Sequence, residues 1–338
     1  MKTQEFDYPL PQEKIAQHPT DKRDHSKLMI MDRKTGMIEH HLFYQVLAEF
    51  TENDCLIINN SKVIPARLIG EKQDTGGVVE LLLLENENNL WQCLTKPAKR
   101  VKKNQIISFG DGLLKARCLE NLGEGIILYE MIYQGIFLEV LEQLGQMPLP
   151  PYIYEKLVDK ERYQTVYAKN PGSVAAPTAG FHFTKELLTK IKSLGVEIIE
   201  ITLHVGLGTF RPILEEDIAN HKMHCERYYI SENVKNKLNA ALKNKKRMIA
   251  VGTTVVRALE SNFNGGFKAG FFTTDIFIYP NYKFKVIDAL ITNFHLPKST
   301  LLLLVSAFST KEHILKAYQE AILKDYRFFS FGDAMFLK

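Results

Sequence analysis

Three segments in the second half of the chain combine residue types that packing alone does not require. They are SVAAPTAGFHFT (Ser173 to Thr184), HVGLGTFRP (His204 to Pro212) and TNFHLPKST (Thr292 to Thr300). Each joins one histidine to hydroxyls and to Gly or Pro. Gly and Pro free or fix the backbone so that it approaches a ligand closely. Histidine is the side chain most easily poised to move protons near neutral pH. Each segment sits at the edge of an apolar run, so the pattern predicts one site assembled from several strand ends, with His182, His204 and His295 in it.

Further residues point to anion binding. RMIAVGTTVVRALES reads as a strand, a glycine turn and a helix start. Thr253 or Thr254 is expected to cap that helix, leaving backbone N–H groups for a carboxylate or phosphate. Arg257, one turn on, is placed to pair with the same anion; an ordinary capped helix reads equally well. In TNFHLPKST, Pro297 breaks the chain, Ser299 caps the next helix, and Asn293 and His295 lie on one side of the preceding strand. Lys298 sits near a helix N-terminus, where the macrodipole does not favour a cation, and is either an anion contact or a surface lysine.

Along residues 196–205 alternation puts Ile199, Ile201, Leu203 and Val205 on one face and Glu200, Thr202 and His204 on the other. The polar face is a proton-transfer pair of His204 with Glu200, or simply a solvated surface. Gly206, Gly208, Thr209 and Phe210 follow, a turn able to wrap a ligand. It lacks the third glycine of a dinucleotide fingerprint. His182, between Phe181 and Phe183, either stacks on a base or packs in the core.

The run KPAKRVKK carries Lys96, Lys99, Arg100, Lys102 and Lys103 with no acid. It is a footprint for nucleic-acid phosphates, or a solvated loop. No metal site is expected: no cysteine pair has CxxC spacing, and His221, His224 and Cys225 would need ligands from elsewhere.

These segments need a scaffold. With 338 residues, 45% of them hydrophobic and 24% charged, the composition is that of a folded soluble protein of one large or two moderate domains. A net charge of +4 implies no more than tolerance of anionic partners. The polar N-terminus MKTQEFDYPLP is not a signal peptide, and the longest apolar run, Leu301 to Val305, is too short to span a bilayer. A cytoplasmic protein is expected.

Strands are predicted at 26–31 and 54–59 with a helix-like segment at 42–50 between them. From 68 to 133, five short strand-like runs separated by Asn- and Gly-rich turns predict a small β-barrel or sandwich. Helices are predicted in GIFLEVLEQLG, at 184–194 with Thr184 as N-cap, at 231–246, in TTVVRALES, in STLLLLVSAFS and in KEHILKAYQEAI. Strands are predicted at 196–205 and in RMIAVG, TDIFIYP and FKVIDALI. Alternation of this kind argues for α/β. The expected architecture is a mixed α/β main domain from both ends of the chain (1–67 and 134–338) with an inserted small β-barrel domain (68–133).

The motifs together resemble those of the S-adenosylmethionine:tRNA ribosyltransferase-isomerases of queuosine biosynthesis. The likeness runs end to end: FDYPLPQEKIAQHP, NNSKVIPARL, PLPPYI, ERYQTVYA, SVAAPTAGFHFT, HVGLGTFRP, MHCERY, VGTTVVRALE, TDIFIYP, DALITNFHLPKSTLLLLVSAF and FGDAM. Phe181, Val255, Asn281 and Phe331 depart from that pattern. Asn281 suits a turn with positive φ; at Val255 a hydroxyl is lost.

The resemblance implies an α/β domain with an inserted β-barrel. It implies transfer of the ribosyl part of S-adenosylmethionine to 7-aminomethyl-7-deazaguanine at the wobble position of tRNAs with GUN anticodons. Adenine and methionine would leave, with no metal, no cofactor beyond S-adenosylmethionine as substrate, no membrane, and a monomeric enzyme. For that chemistry His204 and His295, then His182, are the acid/base candidates. Thr253, Thr254 and Arg257 are candidates for the methionine carboxylate, and Asp275 for the sulfonium or a ribose hydroxyl. Thr178, Gly206, Gly208, Thr209, Phe210, Asn293, Lys298 and Ser299 are further substrate contacts, and Lys96 to Lys103 would hold tRNA. A non-catalytic tRNA-binding protein would show no dependence on S-adenosylmethionine. A methyltransferase would yield S-adenosylhomocysteine, and the missing Gly-rich Rossmann turn counts against it.

Overall fold

The computed structural model describes residues 1–206 and 213–338. In chain order the strands of the first half are β1 (Lys27–Met31), β2 (Ile38–Leu42), β3 (Asp54–Asn59), β4 (Ser61–Val63), β5 (Arg67–Lys72), β6 (Val78–Glu87), β7 (Leu90–Lys96), β8 (Ile106–Phe109), β9 (Leu114–Gly123) and β10 (Ile126–Tyr133). Those of the second half are β11 (Asn170–Ser173), β12 (Glu197–His204), β13 (Glu226–Ile230), β14 (Arg247–Val251), β15 (Gly270–Thr274), β16 (Ala289–Asn293) and β17 (Ala334–Leu337). The helices are α1 (Phe137–Leu144), α2 (Lys185–Ser193), α3 (Glu232–Lys243), α4 (Thr253–Asn262), α5 (Thr300–Phe308) and α6 (Lys311–Leu323). None is long and apolar enough to cross a membrane among the described residues.

The chain divides into two compact units. Met1–Lys62, Pro151–Asn170 and Ala176–Lys338 form the first, and Val63–Pro150 with Pro171–Ala175 the second. The second unit is thus wider than the 68–133 insert expected from the sequence. The backbones of Arg67 and Gln146 exchange hydrogen bonds of 3.2 and 2.8 Å, which returns the chain beyond α1 to the start of β5.

The second unit is a closed antiparallel barrel in the order β10-β7-β6-β5-β8-β9. Five of these strands are the ones expected; β5 is the sixth, and it closes the ring. Burial alternates along β7 and β10, as a strand with one face inward requires. Trp91, Cys93, Phe109, Ala116, Tyr129 and Met131 are among the buried residues of these strands.

The first unit holds a nine-stranded sheet in the order β15-β13-β12-β3-β14-β16-β17-β1-β2. Its centre, β12-β3-β14-β16, is parallel. β13 and β15 extend one side by antiparallel pairing. On the other side β17 is antiparallel to β16 and parallel to β1. β3 and β16 are buried along their whole length, as parallel strands covered on both faces must be. Phe43, Leu56, Phe183, Ile191, Ile249, Ile291 and Phe336 belong to the core. Segment 43–49 is a 3-10 helix. Thr184 caps α2 as expected, its hydroxyl accepting from the Leu187 N–H at 3.0 Å.

Two predicted strands are displaced. TDIFIYP is not a strand; β15 precedes it and ends at Thr274, its first residue. FKVIDALI becomes strand only from Ala289. For FKVIDALI the reason is Glu260, a fully buried residue of α4. Its carboxylate accepts from the backbone N–H groups of Lys285, Val286 and Ile287 and from the Tyr282 hydroxyl. Amides bound to a side chain cannot also enter a ladder. Asn281 adopts φ +81°, the turn conformation its side chain tolerates.

Candidate active site

Because β12, β3, β14 and β16 run one way, their carboxyl ends share one edge of the sheet, where open α/β folds bind ligands. A pocket of about 40 Å³ lies there. The loop Ala176–Ala179, Val205 after β12, Gly252–Thr254 after β14 and Thr292–His295 at the end of β16 line it, with Leu301, Phe329 and Ser330. Tightness at this edge is built in: a Cβ on Gly180 would meet the Tyr167 hydroxyl at 2.0 Å. Phe329, at φ +74°, holds a conformation that a bulky residue adopts only when its surroundings impose it.

The helix start at β14 differs from expectation. Neither Thr253 nor Thr254 is the cap; Gly252 is, at φ +89°, which glycine alone adopts without strain. It makes no side-chain cap bond, so the first N–H groups of α4 lack an intrahelical acceptor. The buried Thr254 hydroxyl has no hydrogen-bond partner among the described residues. A terminus uncapped from within, beside an unsatisfied hydroxyl, suits an anionic group.

Hydrogen bonds order the opposite wall. The Thr178 hydroxyl donates to Asn293 Oδ1 at 2.9 Å, and Asn293 Nδ2 lies 3.1 Å from His182 Nε2. His182 Nδ1 lies 2.7 Å from the Ser26 hydroxyl. Since Nε2 accepts from the amide, Nδ1 carries the proton. His182 also stacks on Phe43, with centroids 5.0 Å apart. It is the packed core histidine of the two alternatives, not a platform for a base.

His295 Nε2 is 3.0 Å from the Thr292 hydroxyl. The His295 N–H donates to the Tyr318 oxygen at 3.0 Å, and the Tyr8 hydroxyl donates to its carbonyl. Burial lowers the pKa of His295 to about 3. Burial, reinforced by Arg327 and Arg23, lowers His182 to about 3 as well. Both rings are neutral at pH 7.

The three histidines do not meet in one pocket. His204 lies instead in a groove of about 610 Å³ on the β13–β15 side, opposite Arg227 of β13. Burial lowers its pKa, and its Nδ1 has no partner among the described residues. It is not paired with Glu200, which binds Lys169 at 2.8 Å and Asn60 at 3.1 Å. Arg257 does not reach the pocket with a free guanidinium. It forms a buried ion pair with Glu226 and donates to the carbonyls of Ile276 and His224. Lys298 pairs with Asp7 at 2.8 Å, which lowers the Asp7 pKa. Asp275 is exposed and outside the pocket.

Ser299 caps α5, accepting from the Leu302 N–H at 3.2 Å. Gly206 has open space where a Cβ would stand. Gly208, Thr209 and Phe210 lie outside the described residues. Lys96, the last residue of β7, and Lys99, Arg100, Lys102 and Lys103, between β7 and β8, are all exposed. None forms an ion pair among the described residues. No group of three or more His, Cys, Asp or Glu is placed to hold a metal ion among the described residues.

The sequence reading missed Tyr8 and Tyr318, which hold the backbone of His295. They stand 287 and 23 residues from it, and a lone tyrosine carries no local sign of such a contact.

The family model described as "Queuosine biosynthesis protein" matches residues 3–337. The chain is 55% identical over 341 residues to the S-adenosylmethionine:tRNA ribosyltransferase-isomerase of Clostridioides difficile (strain 630), covering 100% of both chains. The crystal structure of an S-adenosylmethionine tRNA ribosyltransferase from Thermotoga maritima is 36% identical. It superposes with a TM-score of 0.56, over 99% of this chain and 100% of that one. A site at the carboxyl edge of a parallel sheet, a barrel in the same chain and this full-length likeness agree: the chain belongs to the queuosine biosynthesis protein family.

Proposed function

We propose that the protein transfers and isomerises the ribosyl moiety of S-adenosylmethionine onto 7-aminomethyl-7-deazaguanine at the wobble position of tRNA. The products are epoxyqueuosine-tRNA, adenine and methionine. The observation that carries this reading is family membership along residues 3–337. The same reading extends to tRNAs with GUN anticodons, to a monomeric enzyme and to a cytoplasmic location.

The positive sulfur acidifies the adjacent carbon, so the reaction needs a base there and an acid for the departing adenine. His295 is the pocket's candidate for both. At pH 7 it is neutral and can accept a proton. Burial lowers its pKa to about 3, so the free ring is a weak base, while an imidazolium formed there would readily pass its proton to adenine. The start of α4 at Gly252–Thr254 would hold the methionine carboxylate through backbone N–H groups and the Thr254 hydroxyl. Arg257 leaves that role, being held by Glu226. Thr178, Asn293 and Ser299 would shape the wall, and the exposed run Lys96 to Lys103 would contact tRNA phosphates.

The test incubates purified protein with S-adenosylmethionine and tRNA bearing 7-aminomethyl-7-deazaguanine, with mass spectrometry of small molecules and digested tRNA. Free adenine and methionine with an epoxycyclopentane-bearing nucleoside are expected. Unchanged tRNA from folded protein that binds it would overturn the reading.

A further inference from the structure

The outer face of the β12–β13–β15 edge is aromatic where a solvated face should be polar. The register places Thr202, Tyr229 and Phe271 in one cross-strand row and His204, Arg227 and Thr273 in the next. Side chains opposite one another on paired strands share a face, and two residues along a strand separate the rows by about 6.7 Å. Phe271 is 86% exposed and Tyr229 38%. Their rings lie 4.5 Å apart at 32°. Tyr228 and Phe272, the alternate residues of the same two strands, stack at 5.4 Å, with Tyr228 buried. Among the described residues, those lining this groove include the cation Arg227 and no carboxylate. It ends at His204, whose neighbour Val205 lines the pocket at the sheet edge.

We infer that this face is a stacking platform for unpaired bases of the RNA substrate, next to the base being modified. It rests on the proposed function for the identity of the RNA. Exposed aromatics on a sheet offer π-faces that any base can use. Arg227 adds positive charge beside the stacked bases, and the described residues of the lining carry no acid to repel the backbone. Continuity through His204 and Val205 sets the platform beside the pocket. His204 is then a contact to the RNA rather than the proton-transfer group in the pocket.

The test uses the full-length protein and a tRNA substrate with 2-aminopurine next to the wobble position. Wild type is expected to change the aminopurine fluorescence on binding. Phe271→Ala should abolish that change and weaken RNA binding by about 10-fold, with Tyr229→Ala acting the same way. Phe271→Trp should restore both, and affinity for S-adenosylmethionine should stay unchanged in all variants. RNA affinity within about twofold of wild type in folded Phe271→Ala and Tyr229→Ala proteins would overturn the platform, 1.4 kcal/mol being the tenfold step. A dimer in light scattering that Phe271→Ala dissociates would also overturn it, assigning the face to a second copy of the chain. A wild-type protein that releases no adenine would fail the reaction alone, because the platform is judged from fluorescence and affinity.

Discussion

Two parts of the same nine-stranded sheet solve opposite problems. At the carboxyl edge of β14 and β16 the polar groups of the Thr178–Asn293–His182 and Thr292–His295 wall are buried and tied to one another, and little space is left. On the outer face of β13 and β15 aromatic rings stand in solvent above an open groove. A buried hydrogen-bonded wall fixes geometry, which chemistry needs. An exposed aromatic face gives up order and retains surface for a large partner. The difference follows from strand direction: parallel strands gather their carboxyl ends under cover, while an antiparallel extension leaves one face bare.

The largest expected effect sharpens the first half of this contrast. His295→Ala should lower turnover by about 10²- to 10⁴-fold while leaving RNA affinity intact. Adenine release and RNA binding measured on one preparation check it; near-normal turnover would remove His295 from the chemistry. Next, Arg257→Ala should destabilise the protein by about 3–5 kcal/mol, because it removes one partner of a buried ion pair with Glu226. Urea unfolding reads this. A loss confined to the KM for S-adenosylmethionine would instead return Arg257 to the substrate.

The pH dependence follows from burial. His182 and His295 stay unprotonated in the fold down to about pH 3, while in the unfolded chain they take up protons below about pH 6.5. Their contribution is therefore fully present above pH 6.5 and is lost as pH falls from there towards 3. The slope is at most about 1.4 kcal/mol per pH unit for each ring. Urea midpoints at pH 7, 6 and 5 should fall, and His182→Asn should flatten the profile. The smallest effect is expected in the barrel: Lys99→Ala and Arg100→Ala should each reduce the salt dependence of tRNA binding by about one unit of slope.

Much of the architecture was legible in the sequence because periodicity reports burial directly. The alternation along 196–205 placed Ile199, Ile201, Leu203 and Val205 inward, and all four are buried. What was not legible depended on distant partners. Nothing near Arg257 in sequence announces Glu226, 31 residues away. Nothing in FKVIDALI announces that Glu260 takes its first amides. The final strand β17 hides in a short tail whose pairing with β16 and β1 exists only once the sheet forms. The three histidine loops were visible as unusual, but only His204 stands on a strand, and the face it occupies decided where it went. His204 turned outward, while Val205 beside it faced the pocket.

The series Thr178–Asn293–His182–Ser26 has a sense of direction. Each member gives its hydrogen to the next, so one end commits the other. Were His182 to take a second proton, its Nε2 would become a donor facing the donor amide of Asn293. The amide would then have to rotate, and the Thr178 hydroxyl, meeting an NH₂ instead of an oxygen, would turn its own hydrogen into the cavity. Acid applied on the Ser26 side would thus be felt by a ligand as a change of sign in the wall it touches, although no backbone had moved.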